Sequence, residues 1–500
     1  MFEVIFLLSN KYKQITISEH LKLYDQIIPK DHLLRKLKEN IDFSFVNKLV
    51  EKEYSKTFGR PANEPELIFK LLFLQKKDDL SDREVIERAK TDMSYKFFLD
   101  LNPEDDLICA SMLSIFRTTK IKDETILEEM LNETIKQALE KEVLKSNSII
   151  VDSTHTQSKS VKRTPTQILR EMTKKLRKEI YRNNPEIKEQ FPNKPCDEET
   201  LDVEINYTKE LIEIIKKELK NEKMSQKITN KIKNIEEILE SDKIKEIQSA
   251  HDKDAKQGYK SEDNSFFGYK NHIAMTEDRI ITGIEVTTGE APDGKYLETL
   301  VEKSENNGIE VKEVIGDKAY SGRDNLNYGK KKNIKIISAI NTVITNSNKL
   351  KEGFEYIKDA DLLRCPAGHL AIDKRYRKEC FKERGIRNAT VEYKFDENKC
   401  KECPYGNKCK LYKQKHKTYM ISLMSNVHKE QQKFQETEYF KQKMRYQRYK
   451  IEAKNSELKE VHGLKKAKSM GLSMMRVQTY LTCITSNIKR ILKLIDQQMV

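Results

Sequence analysis

Two short β-branched runs, each closed by an aspartate, constrain the fold of this chain more than any other feature: SIIVD, ending at Asp152, and VIGD, ending at Asp317. Short apolar runs rich in Ile and Val read as buried strands. FFGYKNHIAMT and RIITGIEVTT, separated by Glu277-Asp278, read as a hairpin, and IKIISAI supplies a further strand. With a helix expected near Lys295–Asn306 and a short one before IKIISAI, the order is strand, insertion, strand, strand, helix, strand, helix, strand. That order predicts a mixed α/β sheet interrupted after its first strand.

The interruption runs from about Lys159 to Ile247 and is rich in Lys and Glu. Leu211, Ile215 and Leu219, then Met224, Ile228, Ile232, Ile235 and Leu239, recur at helical spacing, which predicts a helical hairpin or coiled-coil arm. A partly disordered charged linker is the alternative. Before the first strand the chain reads as a compact helical module. ELIFKLLFLQKKDDL is a buried helix, Ser81 and Glu84 form a capping box, and VIERAKTDMSYKFFLDL continues at helical period until Pro103. Residues from about 355 to 418 contain cysteines and are rich in turns, and the chain is helical again from about Asn426.

Composition bears on the partner. The chain is 37% hydrophobic, enough for real cores, and carries a net charge of +14, which favours a polyanion because each neutralised phosphate releases condensed counterions. A lysine-rich proteome would produce the same bias without any such partner. The opening MFEVIFLLSN lacks the basic start of a signal peptide and the length of a membrane span, so a cytoplasmic protein without a membrane partner is expected. Eight cysteines in such a setting point to reduced thiols.

An aspartate closing a strand is most often a cap or turn residue. Two on neighbouring strands can instead share Mg²⁺ or Mn²⁺, hard cations that take carboxylate oxygens and activate water. In RYQRYKIEAKNSELK, Arg448, Glu452 and Lys459 fall along one helix face, suited to one metal ligand flanked by two phosphate-binding cations. A solvated helix with an Arg–Glu ion pair gives the same spacing.

Taken in order, VDSTHTQSKS, GYKNHIA, VIGDKAYSG and R-x3-E-x6-K resemble the catalytic domain of DDE transposases of bacterial insertion sequences. The resemblance implies a ribonuclease-H-like core, with Asp152, Asp317 and Glu452 as the acidic triad holding two metal ions. The family's Tyr-x2-Arg-x3-Glu-x6-Lys signature is met at Arg448, Glu452 and Lys459, but Arg445 takes the Tyr position, with Tyr446 beside it. Glu457 is the rival third acid, and His155 has no role assigned. IIPKDHLLRKLKENIDFSF, GRPANEPELIFKLLFLQ, LSDREVIERAKTDMSYKFFL and SMLSIFRTTK resemble the InsH-type amino-terminal domain, which implies DNA contact. Domain order, insertion and cysteines most resemble the insertion-sequence family numbered eleven eighty-two.

Cys400-x2-Cys403-x5-Cys409, with Cys365 upstream, offers four thiols for a structural Zn²⁺; His369 and Cys380 are alternative ligands, and a cluster of buried reduced thiols is the bland reading. Cys109, Cys196 and Cys483, well apart in sequence, fit plain burial. KCKLYKQKHKTY and YFKQKMRYQRYK interleave cations with Tyr, a pattern suited to DNA that an ordinary solvated helix also produces.

The expected organisation is a helical, DNA-binding 1–140; a catalytic core from 146–158 and 250–345; an arm over 159–249; a zinc segment over 355–418; and helices over 426–500 completing the core. The function expected is binding of terminal inverted repeats, strand cleavage and transfer into target DNA, with a homo-oligomer formed on the ends. The alternatives are a sequence-specific DNA-binding zinc protein with an inactive core, and a ribonuclease-H-like nuclease without strand transfer.

Overall fold

The computed structural model describes the chain except residues 1–5, 8–18, 56–59, 197–199, 220–224, 241–243, 261–263, 343, 345–349, 351–352, 383–384, 410 and 499–500. Most of the opening MFEVIFLLSN, and Met224 of the arm pattern, therefore lie outside the described residues.

In the amino-terminal region α1 (Pro65–Lys77) is buried over most of its length, and α2 (Asp82–Thr91) begins with the expected capping box. Ser81 Oγ accepts from the Glu84 amide at 3.2 Å and Glu84 Oε2 accepts from the Ser81 amide at 2.7 Å. The helical run expected to reach Pro103 breaks earlier. Asp92 turns its carboxylate onto the amides of Ser94 and Tyr95, ending α2 and starting a separate short helix, Met93–Phe98. A free side-chain acceptor there competes with the helix's own carbonyls. A long helix, α3 (Glu124–Glu140), leads to the sheet.

The central sheet is built from β1 (Ser148–Gln157), β2 (Lys256–Tyr259), β3 (Ser265–Thr276), β4 (Ile281–Thr288), β5 (Glu313–Ile315) and β6 (Lys335–Ile337). β3 lies antiparallel between β1 on one side and β2 and β4 on the other, while β1, β5 and β6 run parallel. β2, absent from the sequence reading, extends the β4 edge by pairing the first residues of β3.

Asp152 was expected to close its strand and does not. β1 continues to Gln157 because its antiparallel pairing with β3 runs on to Gly268, long after its parallel pairing with β5 ends at Ile150. Asp152 therefore sits mid-strand, just where one neighbour stops.

Between β1 and β2 the arm is a three-helix unit, not a hairpin: α4 (Pro165–Asn183), α5 (Leu201–Glu218) and α6 (Gln226–Leu239). Leu176 and Ile180 of α4 join Tyr207, Leu211, Ile215, Ile228, Ile232 and Ile235 in a separate apolar core. The extra helix supplies the third apolar face that two short charged helices need for burial.

α7 (Leu297–Asn306) and α8 (Arg323–Lys332) connect the later strands, as expected. The 355–418 segment has more strand than its turns suggested: β7 (Asp373–Arg377), β8 (Thr390–Lys394) and β9 (Thr418–Ser422) form an antiparallel sheet over a small core containing Phe354, Leu363, Tyr393, Phe395 and Leu411. Tyr419, expected on a DNA-facing surface, lies in that core with its ring 4.4 Å from Phe354. The carboxyl end comprises α9 (Glu438–Gln447), α10 (Tyr449–Glu460) and α11 (Leu472–Gln498). α11 packs on α1, α3 and β4, so the amino-terminal helices, the sheet and the carboxyl-terminal helix share one continuous core. Among the described residues no helix is long and apolar enough to cross a membrane.

Candidate active site

Parallel pairing leads up to the first two acids. Ile150 stands opposite Ile315, where the parallel pairing ends, and beyond that point the Asp317 charge bears on Asp152. Gly316 makes the geometry possible. A Cβ there would come within 2.7 Å of the Tyr320 ring and 3.0 Å of Val151. After β5 the chain turns at once, and the Asp317 carboxylate accepts from the Ala319 amide at 2.9 Å.

The Asp152 carboxyl is half-buried, and its pKa is pushed up to about 6. Burial is the main cause, reinforced by the negative charges of Asp317 and Asp293 and opposed by Arg448 and the Ser153 amide. A carboxylate short of positive charge is one that a cation would suit. Asp293 is the acid that sequence reasoning missed. It receives Lys270 Nζ at 2.9 Å, and His272 Nδ1 lies 3.8 Å away. Lys270 and His272 both belong to GYKNHIA, so the partner motif was visible, while Asp293 opens a single 3-10 turn, Asp293–Tyr296, too short for a periodic signal. Tyr320, fully buried, has no hydrogen-bond partner for its hydroxyl among the described residues and feels Asp152, Asp293, Asp317 and Arg448.

α10 brings the remaining candidates. At about 100° per residue, Arg448, Glu452, Asn455 and Lys459 fall within a sector of about 60°, and Glu457 points the opposite way. The contacts follow that wheel. Asn455 Nδ2 donates to Asp152 Oδ2 at 3.1 Å, and Lys459 Nζ lies 3.3 Å from His155 Nδ1. Burial and the nearby Lys260 lower Lys459 to about 8, and burial with Lys459, Lys260 and Lys270 holds the His155 imidazole near 4, hence neutral. Glu452 shares the face but is not gathered in: its side chain is 64% exposed and accepts from Arg448 at 2.8 Å.

Glu457 is fastened elsewhere. It pairs with buried Lys454 at 3.1 Å and Arg279 at 3.3 Å, accepts from Ser486 Oγ at 2.9 Å, and has His462 at 3.8 Å. These donors outweigh burial and hold its carboxyl well below the usual range. Arg445 and Tyr446 lie on exposed α9, the guanidinium 5.6 Å from the ring centroid.

Cys365, Cys400, Cys403 and Cys409 line one small pocket with His369. Burial first, then the neighbouring Cys365, raises the Cys400 thiol. Cys380 is exposed and outside that pocket. Among the described residues no three His, Cys, Asp or Glu side chains are arranged to hold a metal ion, either here or around Asp152. Cys483 is buried as expected, but Cys109 and Cys196 are exposed, each in an irregular connection.

Two family models match the chain. Residues 22–119 match a transposase domain (DUF772), and residues 364–492 match a transposase DDE domain. Together the two matches support a DDE transposase of an insertion sequence. Within that family assignment, the DDE match contains the cysteines, Arg448, Glu452 and Lys459, whereas Asp152 and Asp317 lie outside both matched segments. No curated protein and no solved structure matches the chain.

Proposed function

We propose that this transposase binds the terminal inverted repeats of its element and carries out two-metal-ion cleavage and strand transfer at Asp152, Asp317 and Glu452. The observation that supports this reading is the half-buried Asp152, which accepts from Asn455 of α10 and lies within the electrostatic reach of Asp317, Arg448 and Lys459. Strand order supports a ribonuclease-H-like core: the antiparallel strands β4, β3 and β1 are continued by parallel β5 and β6.

When bound, Mg²⁺ or Mn²⁺ would supply the Lewis acidity that phosphodiester cleavage and joining need. On this reading Asp152 and Asp317 would hold the ions, and Asn455 keeps the Asp152 carboxylate turned toward α10. Arg448 and Lys459 are the cations for phosphate oxygens. Glu452 is about 5 Å, one helical turn, from Asn455. Releasing it from Arg448 is the rotamer change this reading requires, and a phosphate engaging Arg448 would favour that release. The four thiols at Cys365, Cys400, Cys403 and Cys409 share one pocket, and closing them around a structural Zn²⁺ would pin the segment leading to α10.

The engagement of Glu452 by Arg448 also suits the rival reading, a DNA-binding zinc protein with an inactive core. Asp317→Asn separates the two. Cleavage of end-containing DNA in Mg²⁺ is expected to disappear while binding of the same DNA stays within about threefold, because one charge is neutralised without loss of volume. A wild-type protein that binds these ends but never nicks them supports the inactive core, and cleavage surviving the substitution refutes the assignment. Joined products, assayed beside nicks, distinguish strand transfer from a nuclease.

A further inference from the structure

The insertion arm carries a feature that the acid site does not use. An open groove of about 1090 Å³ follows α4 and the segment leading into it, and Lys162, Arg163, Lys174, Lys175, Lys178 and Lys194 line it. All six are exposed. The acid on its wall, Glu171, already pairs with Arg163 at 3.0 Å and Lys175 at 2.6 Å. Arg170 is turned inward to Glu204 at 2.8 Å. Lys174, Lys178 and Lys194 have no ion-pair or hydrogen-bond partner among the described residues.

This is more than the alternation of charge on a solvated helix. Lys174 and Lys178 are one turn apart on the α4 face opposite buried Thr173, Leu176 and Ile180, and Lys194 reaches the same groove from a separate segment. From Thr166 to Lys178 the groove follows about 18 Å of helix. Ammonium groups spread along such a length, without a buried polar group to focus them, suit a linear polyanion better than a single small anion. Duplex DNA carries a charge every ~1.7 Å of its axis.

The groove is joined to the catalytic strand. β1 ends at Gln157, Lys162 bonds to Gln257 of β2, and the Arg163 amide donates to Gln248 O at 2.9 Å, so the entry to α4 is fixed to the sheet. Around the last residues of β1 stand Lys459 and Lys260, which both bear on His155. The geometry points to the arm groove as a second duplex-DNA backbone site, which holds the part of the DNA beyond the scissile phosphate and is continuous with the cations of the acid site. It rests on the transposase reading for the identity of the polyanion.

The test uses the full chain with Asp317→Asn, so that cleavage does not enter. Binding of a 40-base-pair duplex is titrated across salt concentrations for this protein, for Lys174→Gln/Lys178→Gln/Lys194→Gln added to it, and for a control triple at exposed arm lysines outside the groove, Lys217→Gln/Lys227→Gln/Lys233→Gln. If each groove lysine meets one phosphate, the slope of log affinity against log salt falls by about 2.7, and affinity at 0.1 M salt drops on the order of 10²-fold. The control triple is expected to leave the slope within about 0.5 of the parent. An unchanged slope in the groove triple, or an equal loss in both triples, overturns the groove while leaving the catalytic reading untouched. Absence of any duplex binding by the parent sinks the transposase reading and the groove with it. Thermal melting of all three proteins shows that each is folded.

Discussion

Glu452 and Glu457 lie a little over one helical turn apart, and the structure gives them opposite parts, which a pair of substitutions can expose. Glu457→Gln leaves Lys454, whose side chain is 1% exposed, without its counter-charge. Removing one partner of a buried pair costs about 3–5 kcal/mol. Two facts reduce that here: Glu457 is itself 25% exposed, and Lys454 keeps its 2.8 Å bond to Ser486. A loss of about 2–3 kcal/mol is expected, which lowers the melting temperature by several degrees. Glu452→Gln breaks only an exposed i,i+4 pair with Arg448, a change of about 0.5 kcal/mol or less. Activity should sort the other way. Assayed well below both melting points, Glu457→Gln retains strand cleavage, while Glu452→Gln loses it by a factor on the order of 10³ or more, as befits removal of a metal ligand. Chemical denaturation and a nicking assay on the same preparations suffice. A stable, inactive Glu457→Gln beside an active Glu452→Gln would refute the helix-face argument outright.

The same carboxylate should shape acid sensitivity. Its folded pKa is depressed, so the stability it contributes is present above its unfolded pKa, near 4.5, and is lost as pH falls below that; the Glu457→Gln protein should show a shallower acid limb. Lys76 works in the opposite range. Burial, then the charges of Lys468 and Arg117, lower it to about 7, so the native state sheds its proton before the unfolded chain does and stability should rise between about pH 7 and 10.5. Lys76→Met is expected to stabilise by about 2 kcal/mol at pH 7 and by much less at pH 10, and equal effects at both would contradict the assignment. For the thiols, protein purified under reducing conditions should carry one zinc per chain, and Cys403→Ser should lose it; zinc-free wild-type protein disposes of the site.

Much of the sheet was legible because its strands are local. SIIVD, GYKNHIA, RIITGIEVTT and VIGD each announce a strand within a few residues, and the capping box at Ser81 and Glu84 is a contact between near neighbours. What the sequence concealed was non-local. Nothing in VIGD says that β5 stops beside the middle of β1, so Asp152 was read as a strand end when it is the point at which one neighbour leaves. Tyr419 looks like a DNA-facing aromatic until the Phe354 core covers it. Asp293 draws no notice in the sequence until Lys270, on β3, meets it.

By itself, then, the sequence determined most strands of the central sheet, the arm's helical character, the spacing of Arg448, Glu452 and Lys459 and the kinship with transposases. Each depends on periodicity or residue type over short distances, which backbone geometry dictates directly. Tertiary structure alone decided which carboxylates share a neighbourhood. The end of the β1–β5 pairing brought the Asp317 charge to bear on Asp152, and packing of α10 against α11 sent Glu457 into a buried ion pair, leaving Glu452 on the face that carries Asn455. A side chain's charge is written in the sequence, but its burial and its partners belong to the elements that close around it.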